Sequence, residues 1–98
     1  MNNYVKGRML EYKVKKYLES LGWTVFRCAG SKPLDLIAIR DGKAIAVECK
    51  ASPYDAECFL ITDAKDWSER LKVPVVVYFP DNGCLNHFLV VPRGNDYE

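Results

Sequence analysis

The sequence predicts an α/β domain, a mixed β-sheet of about five strands flanked by two helices, and three observations carry that prediction. A long helical pattern opens the chain, two β-rich runs meet at an Asp-Gly turn, and the apolar run Val75–Phe79 is followed by a second turn and a last apolar run. At 98 residues, 49% of them hydrophobic, the chain can bury one core and leaves little room for a second module. Residues 1–98 are therefore read as a single domain.

Taken in order, Asn2 or Asn3 can cap a first helix that runs to about Leu21, with Gly22 as its stop. Leu10, Val14, Tyr17, Leu18 and Leu21 make one apolar stripe at helical spacing, and Glu11 lies at its edge. Lys6, Arg8, Lys13, Lys15 and Lys16 occupy much of the remaining surface. Trp23–Arg27 reads as a strand by its aromatic and β-branched content, and Cys28–Pro33 as a loop of small residues. Leu34–Ile39 and Ala44–Lys50 are the strands of the hairpin. Ala51–Glu57, which contains Pro53, reads as a polar loop, and Cys58–Ile61 as a short strand. Thr62 or Asp63 can cap a second helix to about Leu71. Val75–Phe79 is expected in the interior of the sheet, Pro80–Gly83 forms a turn, and a last strand covers about Leu85–Val91 before a frayed tail.

The hairpin is the most informative part of the chain. Asp-Gly between β-rich runs suits a two-residue turn whose central residues both take positive φ. Such a turn at 41–42 pairs Arg40 with Lys43, and counting back along both strands sets Asp35 opposite Glu48. Opposed residues share a face with Cβ atoms roughly 4.5–5.5 Å apart, and Lys50, two residues past Glu48, points the same way. Two neighbouring carboxylates repel unless something compensates them, and a divalent metal is the natural compensator. A slip of one residue would send the two acids to opposite faces.

Charge is distributed unevenly along the chain. Through Lys50 there are ten Lys and Arg against five Asp and Glu, net +5; from Ala51 onward there are four against eight, net −4. The basic half holds the carboxylate pair, which suits an anionic substrate such as nucleic acid. The four cysteines, Cys28, Cys49, Cys58 and Cys84, show no CxxC pair or zinc spacing and read as reduced thiols. No segment has the apolar length of a signal peptide or a membrane span, so a soluble, cytoplasmic protein with no membrane partner is expected.

Lys6-Gly7, Glu11, Arg27-Cys28-Ala29-Gly30-Ser31, Asp35-Leu36-Ile37-Ala38 and Glu48-Cys49-Lys50 together resemble the PD-(D/E)XK nucleases. Within that superfamily they look most like the archaeal-type Holliday-junction resolvases. The resemblance lies in motifs over residues 6–51, and is architectural beyond. It implies a restriction-endonuclease-like core and a metal-dependent endonuclease, in an archaeal cell or a virus within a host. It implies Asp35, Glu48 and the Cys49 backbone carbonyl as ligands of Mg²⁺, with Mn²⁺ as substitute, and Glu11 as a helical acid reaching the metal directly or through water. Lys50 would orient or help deprotonate the attacking water and offset transition-state charge. Arg27, Ser31, Lys6 and Lys32 would contact DNA, and a homodimer would place two nicks symmetrically across a four-way junction.

Other readings stay open beside it. Glu11 could pair with Lys15 one turn on, and Arg27 could be a surface charge at a strand end. Tyr12 stands where resolvases often carry a basic residue, the second half is acidic, and the chain is shorter than typical members. The same chemistry on flaps, ends or single-stranded DNA, as in virus-type replication-repair nucleases, is the second reading. A catalytically inactive DNA-binding module is the third.

Overall fold

In the computed structural model, which describes residues 3–30 and 34–93, five strands form one sheet in the order β1-β2-β3-β4-β5. Helix α1 spans Asn3–Ser20; β1 is Thr24–Arg27, β2 Leu36–Arg40, β3 Lys43–Cys49, β4 Val75–Asp81 and β5 Cys84–Val90. A helical crossover joins β3 to β4: α2 (Pro53–Phe59), a π-helical turn (Leu60–Ala64) and α3 (Lys65–Leu71). All neighbouring strands are antiparallel except β3 and β4, which run parallel, so the sheet is mixed as expected. A parallel pair cannot be closed by a tight turn, and the crossover is what makes this one possible.

Helix α1 ends in a hydrogen-bonded stop. Trp23 N–H donates to the Leu18 carbonyl at 3.1 Å and Gly22 N–H to the Glu19 carbonyl at 3.0 Å, the paired bonds of a Schellman motif. The motif needs a left-handed residue, and Gly22 supplies it at φ +93°. Arg40 ties this end down from β2: its Nη1 donates to the Leu21 carbonyl at 2.8 Å while its guanidinium lies 4.6 Å from the centre of the Trp23 ring.

The sheet has a core on each face, as strand alternation requires. Val14 and Leu18 of α1 pack with Val25, Leu36, Ala38, Val47, Val76 and Tyr78 on one side. Ala56, Phe59 and Ala64 of the crossover pack with Leu34, Ala46, Val75, Val77 and Phe79 on the other. The α1 stripe read from the sequence is wider than the buried one: Tyr17 and Leu21 remain about half exposed. α1 packs mainly over β1, β2 and β3, and Tyr17 reaches past them to meet the Tyr78 ring of β4 edge-on at 6.2 Å. β4 runs on to Asp81, two residues into the expected turn. Pro80 is tolerated there because β3 stops pairing with β4 at Tyr78, so its missing N–H breaks no ladder bond on that side.

Residues 51–61 differ from the sequence expectation. The polar loop and short strand are instead the start of the crossover helix. Ser52 is its cap, accepting from Asp55 N–H at 3.1 Å, and Pro53 occupies the first turn, where no donor is needed. Ala56, Phe59, Ala64 and Ser68 face inward. An unbroken α-helix would turn residue 63 inward after 56 and 59; the wider π turn delivers Ala64 instead and leaves Asp63 exposed. Among the described residues no helix is long and apolar enough to cross a membrane.

The positive φ at Gly22 sets a measurable cost for any side chain there. Gly22→Ala is expected to lower stability by about 1 kcal/mol, read as a lower urea midpoint with unchanged slope.

Candidate active site

The register counted from the Asp41-Gly42 turn is the register observed. Arg40 pairs with Lys43 and Leu36 with Val47, where the regular pairing ends; Asp35 lies just before that end, with its carboxyl close enough to that of Glu48 to hydrogen-bond it. At Asp35 the β2–β3 ladder is offset by one residue, as in a bulge: its N–H donates to the carbonyl of Val47, the partner of Leu36, at 3.0 Å, while its own carbonyl accepts from Cys28 N–H at 2.9 Å. Its carboxylate turns onto β3, where Oδ2 accepts from Cys49 N–H at 2.8 Å. These bonds orient a side chain that is only 7% exposed.

Val47 belongs to the α1-side core, so the pleat sends Glu48 and Lys50 to the crossover side. There Lys50 Nζ lies 3.0 Å from Glu48 Oε2 and 5.0 Å from the centre of the Phe59 ring on α2. Burial, and then the negative charge of Asp35, push the Glu48 carboxyl up from 4.5 to about 7, against the pull of the Lys50 ammonium. A carboxylate pair held this close, at a potential that resists ionising the second acid, fits a divalent cation with hard oxygen ligands. In an extended strand a residue's N–H and C=O lie on the same side. Cys49 N–H reaches Asp35, and its carbonyl therefore projects towards β2 as well.

Glu11 and Arg27 form a second pair. Arg27 Nε donates to Glu11 Oε1 at 3.1 Å, while Lys15 turns to Glu19 at 2.8 Å. Glu11 therefore pairs across to β1 and leaves the i+4 partner to another acid. Arg27 shares its strand face with Val25, so this pair lies on the α1 side, at the same end of the sheet as Asp35. A small hollow of about 90 Å³ sits there, lined by Arg8, Glu11, Tyr12, Lys15, Arg27 and Leu36. Among the described residues no three His, Cys, Asp or Glu side chains gather into a metal centre, so Glu11 is not drawn into one cluster with Asp35 and Glu48. The Lys6 side chain, Ser31 and Lys32 lie outside the described residues.

The histidine and the two tryptophans stand apart from the site. His87 is exposed on β5, 5.4 Å from the Tyr78 ring. Trp23 and Trp67 are half-buried, each under an arginine, Arg40 at 4.6 Å and Arg70 at 4.5 Å. All four cysteines are free thiols. Phe59 is the neighbour of Lys50 that the sequence reading missed. Its signal was the Ser52-Pro53 helix start, which moves Phe59 from a presumed strand onto a helix facing the sheet.

The chain is similar to known proteins at three levels. The family model for the archaeal Holliday junction resolvase, Hjc, matches residues 2–64. The crossover junction endodeoxyribonuclease Hjc of Methanocaldococcus jannaschii is 47% identical over 51 residues, which cover 52% of this chain and 38% of that protein. The solved structure of Archaeoglobus fulgidus Hjc matches with a TM-score of 0.61 at 18% identity, over 85% of this chain and 71% of that one. The last likeness is one of fold.

The raised Glu48 makes the metal-free fold sensitive to pH. Its native pKa, about 7, exceeds the ordinary 4.5. The stability it contributes is therefore full below about pH 4.5 and lost as pH rises through 7, by up to about 3 kcal/mol. Urea denaturation with chelator across this range is expected to show that decline, and Glu48→Gln to flatten it.

Proposed function

The chain belongs to the archaeal Holliday junction resolvase family, and from that premise we propose that it is a divalent-metal-dependent endodeoxyribonuclease nicking four-way DNA junctions in symmetric pairs. The observation that carries this reading is the neighbouring Asp35 and Glu48 carboxyls with Lys50 at 3.0 Å from Glu48. Asp35, Glu48 and the Cys49 carbonyl would hold Mg²⁺, or Mn²⁺ in its place, and Glu11, held by Arg27 on the α1 side, would reach that cation only through water. A cation bound there supplies Lewis-acid activation of water and offsets charge on the phosphate oxygens. Lys50 orients the attacking water and faces the negative charge that builds in the transition state. Arg27 holds a backbone phosphate while Glu11 keeps its guanidinium in place; Ser31, Lys32 and Lys6 extend the phosphate contacts.

The protein works as a homodimer inside the cell, because two symmetric nicks need two sites at fixed separation. Val75–Phe79, the most apolar run of the chain, is buried within the monomer and offers no dimer contact. Leu89 on β5 and Val91 just after it are exposed and better placed. The second reading, a nuclease of flaps or ends, draws on the cleft beside Lys50. Asp55 and Asp63 line it and would repel an extended DNA backbone on that side.

A strand-cleavage assay with Mg²⁺ on an immobile four-way junction, a flap, a duplex and single-stranded DNA separates these readings. Paired nicks confined to the junction are expected; cleavage of flaps or ends alone would transfer the chemistry to the second substrate class. Asp35→Asn and Glu48→Gln are expected to lower cleavage by about 10²–10³-fold or more while junction binding survives. Arg27→Ala is expected to weaken both, as gel-shift and cleavage measured side by side would show.

A further inference from the structure

We propose that Phe59 is the positioning residue for Lys50, holding its ammonium over Glu48; the inference rests on the role given to Lys50 above. A lysine carries its charge on a flexible four-carbon stem, and the Lys50 side chain is 32% exposed, so its position must be selected among several. The alternatives are close. Lys50 borders a cleft of about 330 Å³ whose other walls include Asp55 and Asp63, two carboxylates on the same cleft that a flexible ammonium would otherwise be drawn towards.

Phe59 decides that competition. Its ring centre lies 5.0 Å from Lys50 Nζ, within the range in which a ring face attracts a cation. The ring is itself fixed, 8% exposed and packed in the core with Ala56, Ala64, Val77 and Phe79. It neither titrates nor coordinates a metal, so it draws the ammonium towards the sheet without competing with Asp35 and Glu48 for a cation. The π turn that follows contributes as well. By turning Ala64 inward it keeps the crossover packed against β4, while Thr62 and Asp63 are left on the cleft wall.

The test compares wild-type protein with Phe59→Leu, and with Val75→Ala as a core variant in the same cluster that does not touch Lys50. In the wild type, the Lys50 ε-methylene protons, assigned by their loss in Lys50→Arg, are expected upfield of other lysines through the ring current. Phe59→Leu is expected to abolish that shift and to lower kcat on the junction about three- to tenfold, with KM and junction affinity unchanged. Val75→Ala is expected to lower thermal stability while keeping both the shift and kcat. Should Phe59→Leu fail to fold, Phe59→Met replaces it. An absent ring-current shift in the wild type, or wild-type kcat in the ring-less variant, overturns the proposal. If the wild type cleaves none of the DNA substrates, the catalytic reading of Lys50 fails, and the chemical shift alone decides whether Phe59 anchors it.

Discussion

Asp41 and Gly42, at φ +53° and +78°, form a two-residue turn whose twist matches that of the strands it joins. That turn fixes β2 against β3, and almost everything at the candidate site depends on this register. Strand side chains alternate with a period of two, so a slip of one residue would carry Asp35 to the face opposite Glu48. It would also send Leu36 and Ala38 out of the α1-side core, which ties the site's geometry to the burial of those side chains. The carboxylate pair is thus positioned by packing outside it, which is what a constellation of mutually repelling groups requires.

The cost of that constellation is visible in Glu48. Its carboxyl is held where its own ionisation is opposed by burial and by Asp35, with Lys50 as partial compensation. The Cys49 N–H gives Asp35 a charge-assisted bond from the backbone. A site of this kind is unstable in proportion to its readiness for a cation. The surrounding strands, buried on both faces at Val75–Phe79, supply the stability that it lacks.

Much of this was legible in the sequence because it is local. The hairpin register, the α1 stop at Gly22 and the strand 75–79 each follow from turn chemistry or periodicity within a few residues. The crossover was less legible. Pro53 and its polar neighbours resemble a loop, and Cys58-Phe59-Leu60-Ile61 resembles a strand, because the π turn interrupts the 3.6-residue period. The Ser52-Pro53 start was present and outweighed by composition. Partners distant in sequence were the least legible: nothing near Glu11 names Arg27, sixteen residues on, as the cation it would meet. The hydrophobic stripe of α1 gave the right helix face but too wide a buried band, since burial depends on which strands the helix covers.

The single parallel joint in the sheet has a consequence for the order of assembly. β1, β2 and β3 are linked by short connections, and β4 and β5 by a tight turn, so each antiparallel pair closes at small entropic cost. β3 can meet β4 only after the whole of residues 50–74 has been gathered, which makes that contact the slow one. Asp35 and Glu48 come before that segment in the chain, and Lys50 and Phe59 lie within it. The carboxylates thus sit on the local hairpin, while the burial that raises Glu48 needs β4, whose Val77 pairs with it, and so needs the crossover as well.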